Sequence, residues 1–300
     1  MLSFKKLTLS DKQLVDNITL PNNNRCADFD FGNMLLWDNL YNLYASVSDE
    51  RLVLRMDKYS PPVFTYPVGN GDLSHIINEL HKYCLEQNYP FVMASITDDD
   101  KEHLDYLFPR KFKYELDADN SDYIYLIDKL SNFSGKALHS KKNHCNHFEK
   151  EYDGYKVEPL NAENIPLCIK MLDQWELDNK SRLNLTGTYE YFAIKYAFNN
   201  FNTLSLEGIA LIYNDDVLGF SLGEICSKDT FDVHFEKADI NINGAYTVVC
   251  REMARLVHKN HPELIYINRE EDMGLEHLRH SKLSYKPEFI LNKYIARWVD

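Results

Sequence analysis

No stretch of this 300-residue sequence reaches the roughly 18 consecutive apolar residues that a bilayer-crossing helix needs, although 44% of its residues are hydrophobic. Met1–Ser10 lacks the apolar core of a secretory leader. These two absences make a cytoplasmic protein the expectation. Disulfide architecture is equally unsupported. Cys26, Cys84, Cys145, Cys168, Cys226 and Cys250 are scattered, with no CxxC pair, whereas disulfide frameworks are dense and belong to small secreted chains. Cys84, Cys168 and Cys250 fall on the apolar faces of expected helices, where a thiol behaves as a small hydrophobe. Positive charge is also scarce, and the formal net charge is −13. That argues against an extended nucleic-acid interface or broad contact with anionic lipid, and leaves room for one local basic patch. No Ser-His-Asp or Cys-His pattern stands out, so chemistry through a covalent enzyme intermediate is not expected. Neither HxxxH nor HxH spacing occurs, and no metal centre is expected.

What is present is an order of elements that runs through the chain twice. In the first half, Pro62–Val68 reads as extended, Gly69-Asn70-Gly71-Asp72 as a loop, and Leu73–Gln87 as a helix with Ile76, Ile77, Leu80, Tyr83 and Cys84 on one face. A strand Phe91–Ile96, a short helix Glu102–Leu107 and a strand Tyr123–Ile127 follow. The second half repeats this with a strand Phe231–Ala238, a loop Asn241–Gly244, a helix Ala245–Lys259, a strand Leu264–Asn268, a short helix at Glu276-His277-Leu278 and a strand Phe289–Arg297. Antiparallel strands precede each unit: Arg51–Met56 in the first, and Leu206–Tyr213 with Val217–Glu224 around an Asn214-Asp215-Asp216 turn in the second. Helices at Ala162–Asp178 and Thr188–Asn199 come before those. The expected fold class is therefore α/β, with mixed sheets and helices on both faces. The expected division is a domain over 1–130, a basic linker over 131–151 and a second domain over 152–300.

This order resembles the GNAT acyltransferase fold taken twice. Three stretches narrow the resemblance: Gly135–Phe148, Val233-His234-Phe235-Glu236-Lys237-Ala238, and Ile267–Leu275 continuing through Leu278–Pro287. They are similar to an uncharacterised bacterial family related to the C-terminal domain of phosphatidylglycerol lysyltransferase (DUF2156-like). The resemblance covers most of the chain. It implies two tandem GNAT-like domains, as in lysyl-phosphatidylglycerol synthases and Fem peptidyltransferases. Such relatives move an amino acid from aminoacyl-tRNA to a lipid or cell-wall amine. An acyl transfer to a small-molecule amine or hydroxyl is the implied activity, with aminoacyl-tRNA or acyl-CoA as donor. Unlike the synthases, the sequence has no membrane-spanning stretch.

Candidate residues follow from the motifs. In CoA-using GNAT proteins a Gly-x-Gly/Ala loop presents backbone N–H groups at a helix N-terminus to the pyrophosphate. Gly69, Asn70 and Gly71 stand at that place in the first half and Gly244 in the second, each otherwise an ordinary turn opening a helix. The cluster of Lys141, Lys142, Asn143, His144 and Asn146 would hold donor phosphate through charge-assisted hydrogen bonds, or form a solvated helix face. Alternation along Phe231–Glu236 puts Asp232, His234 and Glu236 on one side of a strand. His234 or Glu236 would take a proton from an acceptor amine, or the row would be a polar face carrying a salt bridge. Lys237 and Tyr246 lie next to this row and its loop and are expected to contact substrate.

Asn268-Arg269-Glu270-Glu271-Asp272 ends a strand, where α/β proteins place their sites. Arg269 would bind phosphate. Asn268, Glu270 and Asp272 would meet a cationic substrate group, or Asp272 would cap the next helix. Arg279 and Lys282 follow at helical spacing, and Tyr285 stands where many GNAT enzymes keep a tyrosine that protonates the leaving group.

Overall fold

The computed structural model describes residues 2–179 and 185–299. The chain opens with helices α1 (Lys12–Thr19), α2 (Phe31–Leu36) and α3 (Asp38–Tyr41). Next come β1 (Leu43–Ser48), β2 (Arg51–Met56), β3 (Val63–Thr65), β4 (Val68–Gly69), α4 (Leu73–Gln87), β5 (Val92–Ile96), α5 (Asp98–Leu107) and β6 (Phe112–Leu116). The middle of the chain forms β7 (Asp122–Leu126), α6 (Ile127–Asn132), α7 (His139–Glu151), β8 (Lys156–Pro159), α8 (Ile165–Asn179) and α9 (Leu185–Asn199). The remainder forms β9 (Glu207–Tyr213), β10 (Asp216–Ile225), β11 (Thr230–Ala238), α10 (Ala245–Asn260), β12 (Tyr266–Asn268), α11 (Glu276–Ser284), β13 (Phe289–Leu291) and β14 (Tyr294–Trp298).

Local chemistry explains the two long helices that open the repeated units. Leu73, Ile76, Ile77, Leu80 and Cys84 of α4 are buried at the three-and-four spacing of one helix face. Asp72 caps its start by accepting from the amides of Ser74 and His75, and Asn88 stops it in a left-handed conformation at φ 56°. Helix α10 buries Val248, Val249, Met253, Ala254 and Val257 in the same way. All six cysteines are free and buried, which fits their reading as small hydrophobes.

Two seven-stranded mixed sheets form among the described residues. The first has the order β1-β2-β3-β5-β14-β6, with β4 also on β2, and the second β13-β7-β12-β11-β10-β9-β8. The repeat is real in its order of elements, but each half gives its last strand to the other. β7 pairs with β12 and β13 in the second sheet, and β14 lies between β5 and β6 in the first. The division at 130–152 is therefore not a division between the sheets. The single strand expected at Phe289–Arg297 breaks at Asn292-Lys293, and its two pieces belong to different sheets. Lys293 is 2% exposed at the break, with Nζ 2.9 Å from Asp28 and 2.8 Å from Asp122. A buried ammonium is retained only where paired charges surround it, so the two carboxylates fix the crossing point.

Candidate functional site

Alternation along β11 does not persist. Leu222 of β10 pairs with Phe235 and Gly223 pairs with Val233, so His234 is an extra residue opposite no partner. Such a bulge puts two consecutive side chains on one face and re-aims those beyond it. Phe231 and Val233 pack with α10, while Phe235 joins the core that holds the first sheet. Asp232 and His234 stay together. Glu236 turns to the opposite face, where it accepts from Arg269 Nε at 2.7 Å. The expected Asp232–His234–Glu236 row is thus two sites.

The first site is buried. His234 Nε2 lies 3.1 Å from Glu224 Oε1, and Nδ1 lies 3.1 Å from both Glu270 Oε1 and Asp232 Oδ2. Glu224 Oε1 also accepts from the Gly32 amide at 2.7 Å. A Cβ at residue 32 would sit 2.2 Å from that oxygen, so only glycine admits the carboxylate. Burial works against the imidazolium, but Asp232, Glu224 and Glu270 together hold the His234 pKa well above the ordinary histidine value. Burial and the neighbouring Asp232 push Glu270 well above the carboxylate range, and burial with Asp232 and Glu224 does the same to Asp30.

The loop that delivers Glu270 is over-braced. Glu270 and Met273 adopt left-handed backbone at φ 55° and 54°, a conformation costly for non-glycine residues and concentrated at functional sites. Asn268 Oδ1 accepts the Glu270 amide at 2.7 Å, and its Nδ2 donates to Asp122 and the Arg25 carbonyl. Lys282, 8% exposed, donates to the carbonyls of Arg269, Glu270 and Glu271 at 2.5, 3.0 and 2.5 Å. Asp272 accepts from Tyr123, the Gly274 amide and two nitrogens of Arg279. It does not cap the following helix. Asn268, Asp272, Arg279 and Lys282, expected to contact substrate, are occupied in holding this loop.

Glu270 and Glu271 line a cleft of about 700 Å³. Its walls include Trp37, Tyr41, Leu54 and Val92, together with the charged Asp28, Lys58, Asp117, Asp119, Lys293 and Arg297. Burial raises the Glu271 pKa against the pull of Lys293. Lys293 itself is held charged by Asp122 and Asp28 in spite of its burial. Apolar walls with a few convergent polar groups are the usual make-up of a ligand site.

The remaining expected residues lie elsewhere. Tyr285 is 4% exposed, with its hydroxyl 3.5 Å from Thr247 and its ring between Lys141, 3.7 Å away, and Arg269, 4.6 Å away. It does not line the cleft. Burial, reinforced by Arg269, lowers the Lys141 pKa. Lys142, Asn143, His144 and Asn146 are exposed on α7, which packs on α10, on the face of the second sheet away from His234. Lys237 is paired with Glu190 at 2.7 Å and lies over Trp175, with Tyr246 half-exposed nearby.

The glycine loops serve close packing. A Cβ at Gly69 would lie 2.1 Å from the Glu50 carbonyl, one at Gly71 1.5 Å from that of Asp49, and one at Gly244 2.7 Å from that of His144. Gly69 and Asn70 border a second cleft of about 650 Å³, which also carries Asp98, Asp99 and Asp100.

Sequence reasoning missed Asp28, Asp30, Glu224, Glu271 and Lys293. Asp28 and Asp30 flank Phe29 inside an otherwise apolar stretch, and Lys293 interrupts an apolar strand. Charge embedded in apolar sequence was the available signal. Spacing within one element also gave no sign that Asp232, His234 and Glu270, from two separate elements, bring ligand-type atoms within 4.8 Å of one another.

A conserved protein of unknown function from Bacteroides thetaiotaomicron is 34% identical, covers both chains completely and superposes with a TM-score of 0.93. An uncharacterized protein of Mycoplasmoides gallisepticum is 28% identical over 201 residues, which is 63% of this chain and 61% of that protein's length. The structure of L-PGS from Bacillus licheniformis matches 96% of this chain and 91% of its own at 15% identity, with a TM-score of 0.65. The fold is also similar to that of FemX, whose structure matches 98% of this chain and 96% of its own at 10% identity, with a TM-score of 0.59. The sequence profile described as "Phosphatidylglycerol lysyltransferase, C-terminal" matches residues 23–297, and the chain belongs to that family.

Proposed function

We propose that the chain transfers an aminoacyl group from an ester donor, such as the acceptor end of an aminoacyl-tRNA, to a small amine or hydroxyl acceptor. The observation that carries this reading is the strained, over-braced loop that sets Glu270 and Glu271 on the lining of a cleft of about 700 Å³. Paired carboxylates at such a place suit the ammonium group of an aminoacyl ester or an attacking amine. Glu271, whose pKa is raised by burial, is assigned the proton of the attacking nucleophile, since a general base works best near the ambient pH. The nucleophile's bond to the acyl carbon forms, the carbon–oxygen bond to the donor ribose breaks, and the released hydroxyl takes up a proton.

Family membership and the paired carboxylates favour the aminoacyl donor. Acyl-CoA is less well supported. Asp72 already takes the helix amides at the first glycine loop, and the backbone of His144 packs on Gly244 at the second. The same two observations, with the burial of Tyr285, favour one other reading, a silent tandem module that binds a metabolite and turns nothing over.

The test is to incubate the full chain with a tRNA pool charged with radiolabelled amino acids and a panel of amines, phosphatidylglycerol vesicles included. Loss of label from tRNA is followed with time. The reading expects chain-dependent release with one or a few amino acids, and a fall in kcat/KM of about 100-fold or more in Glu271→Gln. Release equal to the blank with every amino acid would sink it. Saturable binding of an amino acid without release would establish the silent module.

A further inference from the structure

We propose that Asp232, His234 and Glu270 bind a divalent transition-metal ion of the manganese–zinc class, with Glu224 and Asp30 as its outer partners. One Nδ1 faces two carboxylate oxygens, each 3.1 Å away. Two ligand atoms at right angles around an ion with bonds of about 2.1–2.2 Å are separated by about 3.0–3.1 Å. Ligand atoms of all three residues lie within 4.8 Å of one another.

Hydrogen bonding alone does not satisfy this cluster. Nδ1 carries at most one proton, which Glu270 is placed to accept. Asp232 is fully buried, yet neither of its oxygens accepts a hydrogen bond. Asp30, 3% exposed and close enough to Asp232 to raise its own pKa, has Oδ2 unpartnered as well. A proton shared between the Asp30 and Asp232 carboxyls would satisfy part of this group, and a bound cation is the other standard way to satisfy buried carboxylate oxygens. Four carboxyls surround one imidazole, and Lys12 lies 3.7 Å from Glu224.

The far side of the ring is arranged as it is in metal sites. With Nδ1 on an ion, Nε2 keeps its proton and donates to Glu224, which the Gly32 amide holds in place. A carboxylate behind a histidine fixes its tautomer and orients the liganding nitrogen. One nitrogen with carboxylate oxygens suits Mn²⁺, Fe²⁺ or Zn²⁺ rather than a thiolate-seeking metal. Glu270 also borders the cleft, which supplies an entry path. This inference does not depend on aminoacyl transfer, because the measurement uses neither donor nor acceptor.

The test is to strip the full chain with EDTA, equilibrate it with MnCl₂ or ZnCl₂ alone, and count bound metal by mass spectrometry. One ion per chain is expected at micromolar concentration or below, with at least 100-fold weaker binding in His234→Gln. Co²⁺ loading is expected to give visible absorption bands that are lost in the same variant. Because Asp232→Asn alters a fully buried position, Glu270→Gln, on the cleft side, serves as the second variant and is expected to bind at least tenfold more weakly. Asp173→Asn, which removes an unrelated carboxylate, is expected to bind as the parent does. Uptake no greater than the stripped blank would overturn the proposal. So would unchanged binding in His234→Gln and Glu270→Gln variants shown by circular dichroism to be folded.

Discussion

His234 and Glu236 stand two positions apart on β11 and face opposite sides of the second sheet, because His234 is the unpaired residue of a bulge. Glu236 is consequently not part of the cleft. Its partner is Arg269, whose guanidinium also lies over Tyr285 and Tyr125.

Glu236→Gln is therefore expected to act on stability first. Both side chains are 13% exposed, and removing one member of a largely buried pair leaves the other charge uncompensated, at a cost of about 3 kcal/mol. Arg269 is already short of partners, since its Nη1 is buried without one. Urea unfolding will show the loss as a lower midpoint at unchanged slope. The double variant Glu236→Leu/Arg269→Met is expected to recover much of it. An unchanged midpoint in the single variant would show that the pair contributes nothing.

Lys293 tests the crossing point between the sheets. Lys293→Met leaves Asp28 and Asp122 facing each other without the cation, and a loss of about 3–5 kcal/mol is expected. Adding Asp122→Asn to it is expected to return a substantial part. Independent effects that simply add in urea unfolding would show that the two residues are not coupled.

Sequence reading reached the elements better than their assembly. The apolar face of α4, the glycine loops, the α10 helix and the hairpin of β9 and β10 all follow from local periodicity and turn chemistry. Strand exchange does not, because β7 and β14 look locally like the ends of their own halves and the pairing decision is made across the whole chain. The bulge is equally invisible: Phe231–Glu236 alternates perfectly in sequence, and only the register against β10 reveals the extra residue. For the candidate site, the Asn268–Asp272 segment was legible as a strand-end loop, but which of its side chains brace it and which line the cleft was not. Asn268, Asp272 and Lys282 brace the loop, and Glu271, which carried no sequence signal of its own, faces the cleft. The grouping of Asp232 and His234 with Glu270 was out of reach for a related reason, since spacing along one strand cannot register a carboxylate arriving from another.

Stability is expected to rise as pH falls from about 8 to about 5, in the presence of EDTA. Burial raises the pKa values of Asp100 and Asp16 in the folded chain. A carboxyl raised in this way binds its proton before the unfolded chain does. Its contribution is complete below the unfolded pKa and is lost as pH rises through the folded one. Asp11, held low by Lys5, and Asp173, held low by Lys195, behave oppositely and give up their contribution only on further acidification below about pH 4. A stability maximum on the acid side of neutrality follows. Relief of self-repulsion in a chain of net charge −13 adds in the same direction. A urea midpoint that climbs steadily from pH 5 to 8 would contradict these assignments.

The first glycine loop separates packing from phosphate binding. A Cβ at Gly71 would lie 1.5 Å from the Asp49 carbonyl oxygen, which is backbone and cannot swing aside. Gly71→Ala is therefore expected to lose about 2–4 kcal/mol through displacement of the β1–β2 turn, whether or not acetyl-CoA is present. The anion position at the start of α4 is already taken, because the Asp72 carboxylate accepts from the amides of Ser74 and His75. Calorimetric titration of the parent chain with acetyl-CoA is expected to give no saturable heat at micromolar concentration. Asp72→Ala is the informative companion. It frees those amides, so if Asp72 alone closes an otherwise competent phosphate seat, binding will emerge in that variant. Binding absent in both means that the loop's shape, fixed by Gly69 and Gly71 against the hairpin, serves the fold alone. Saturable binding already present in the parent would return the donor assignment to acyl-CoA.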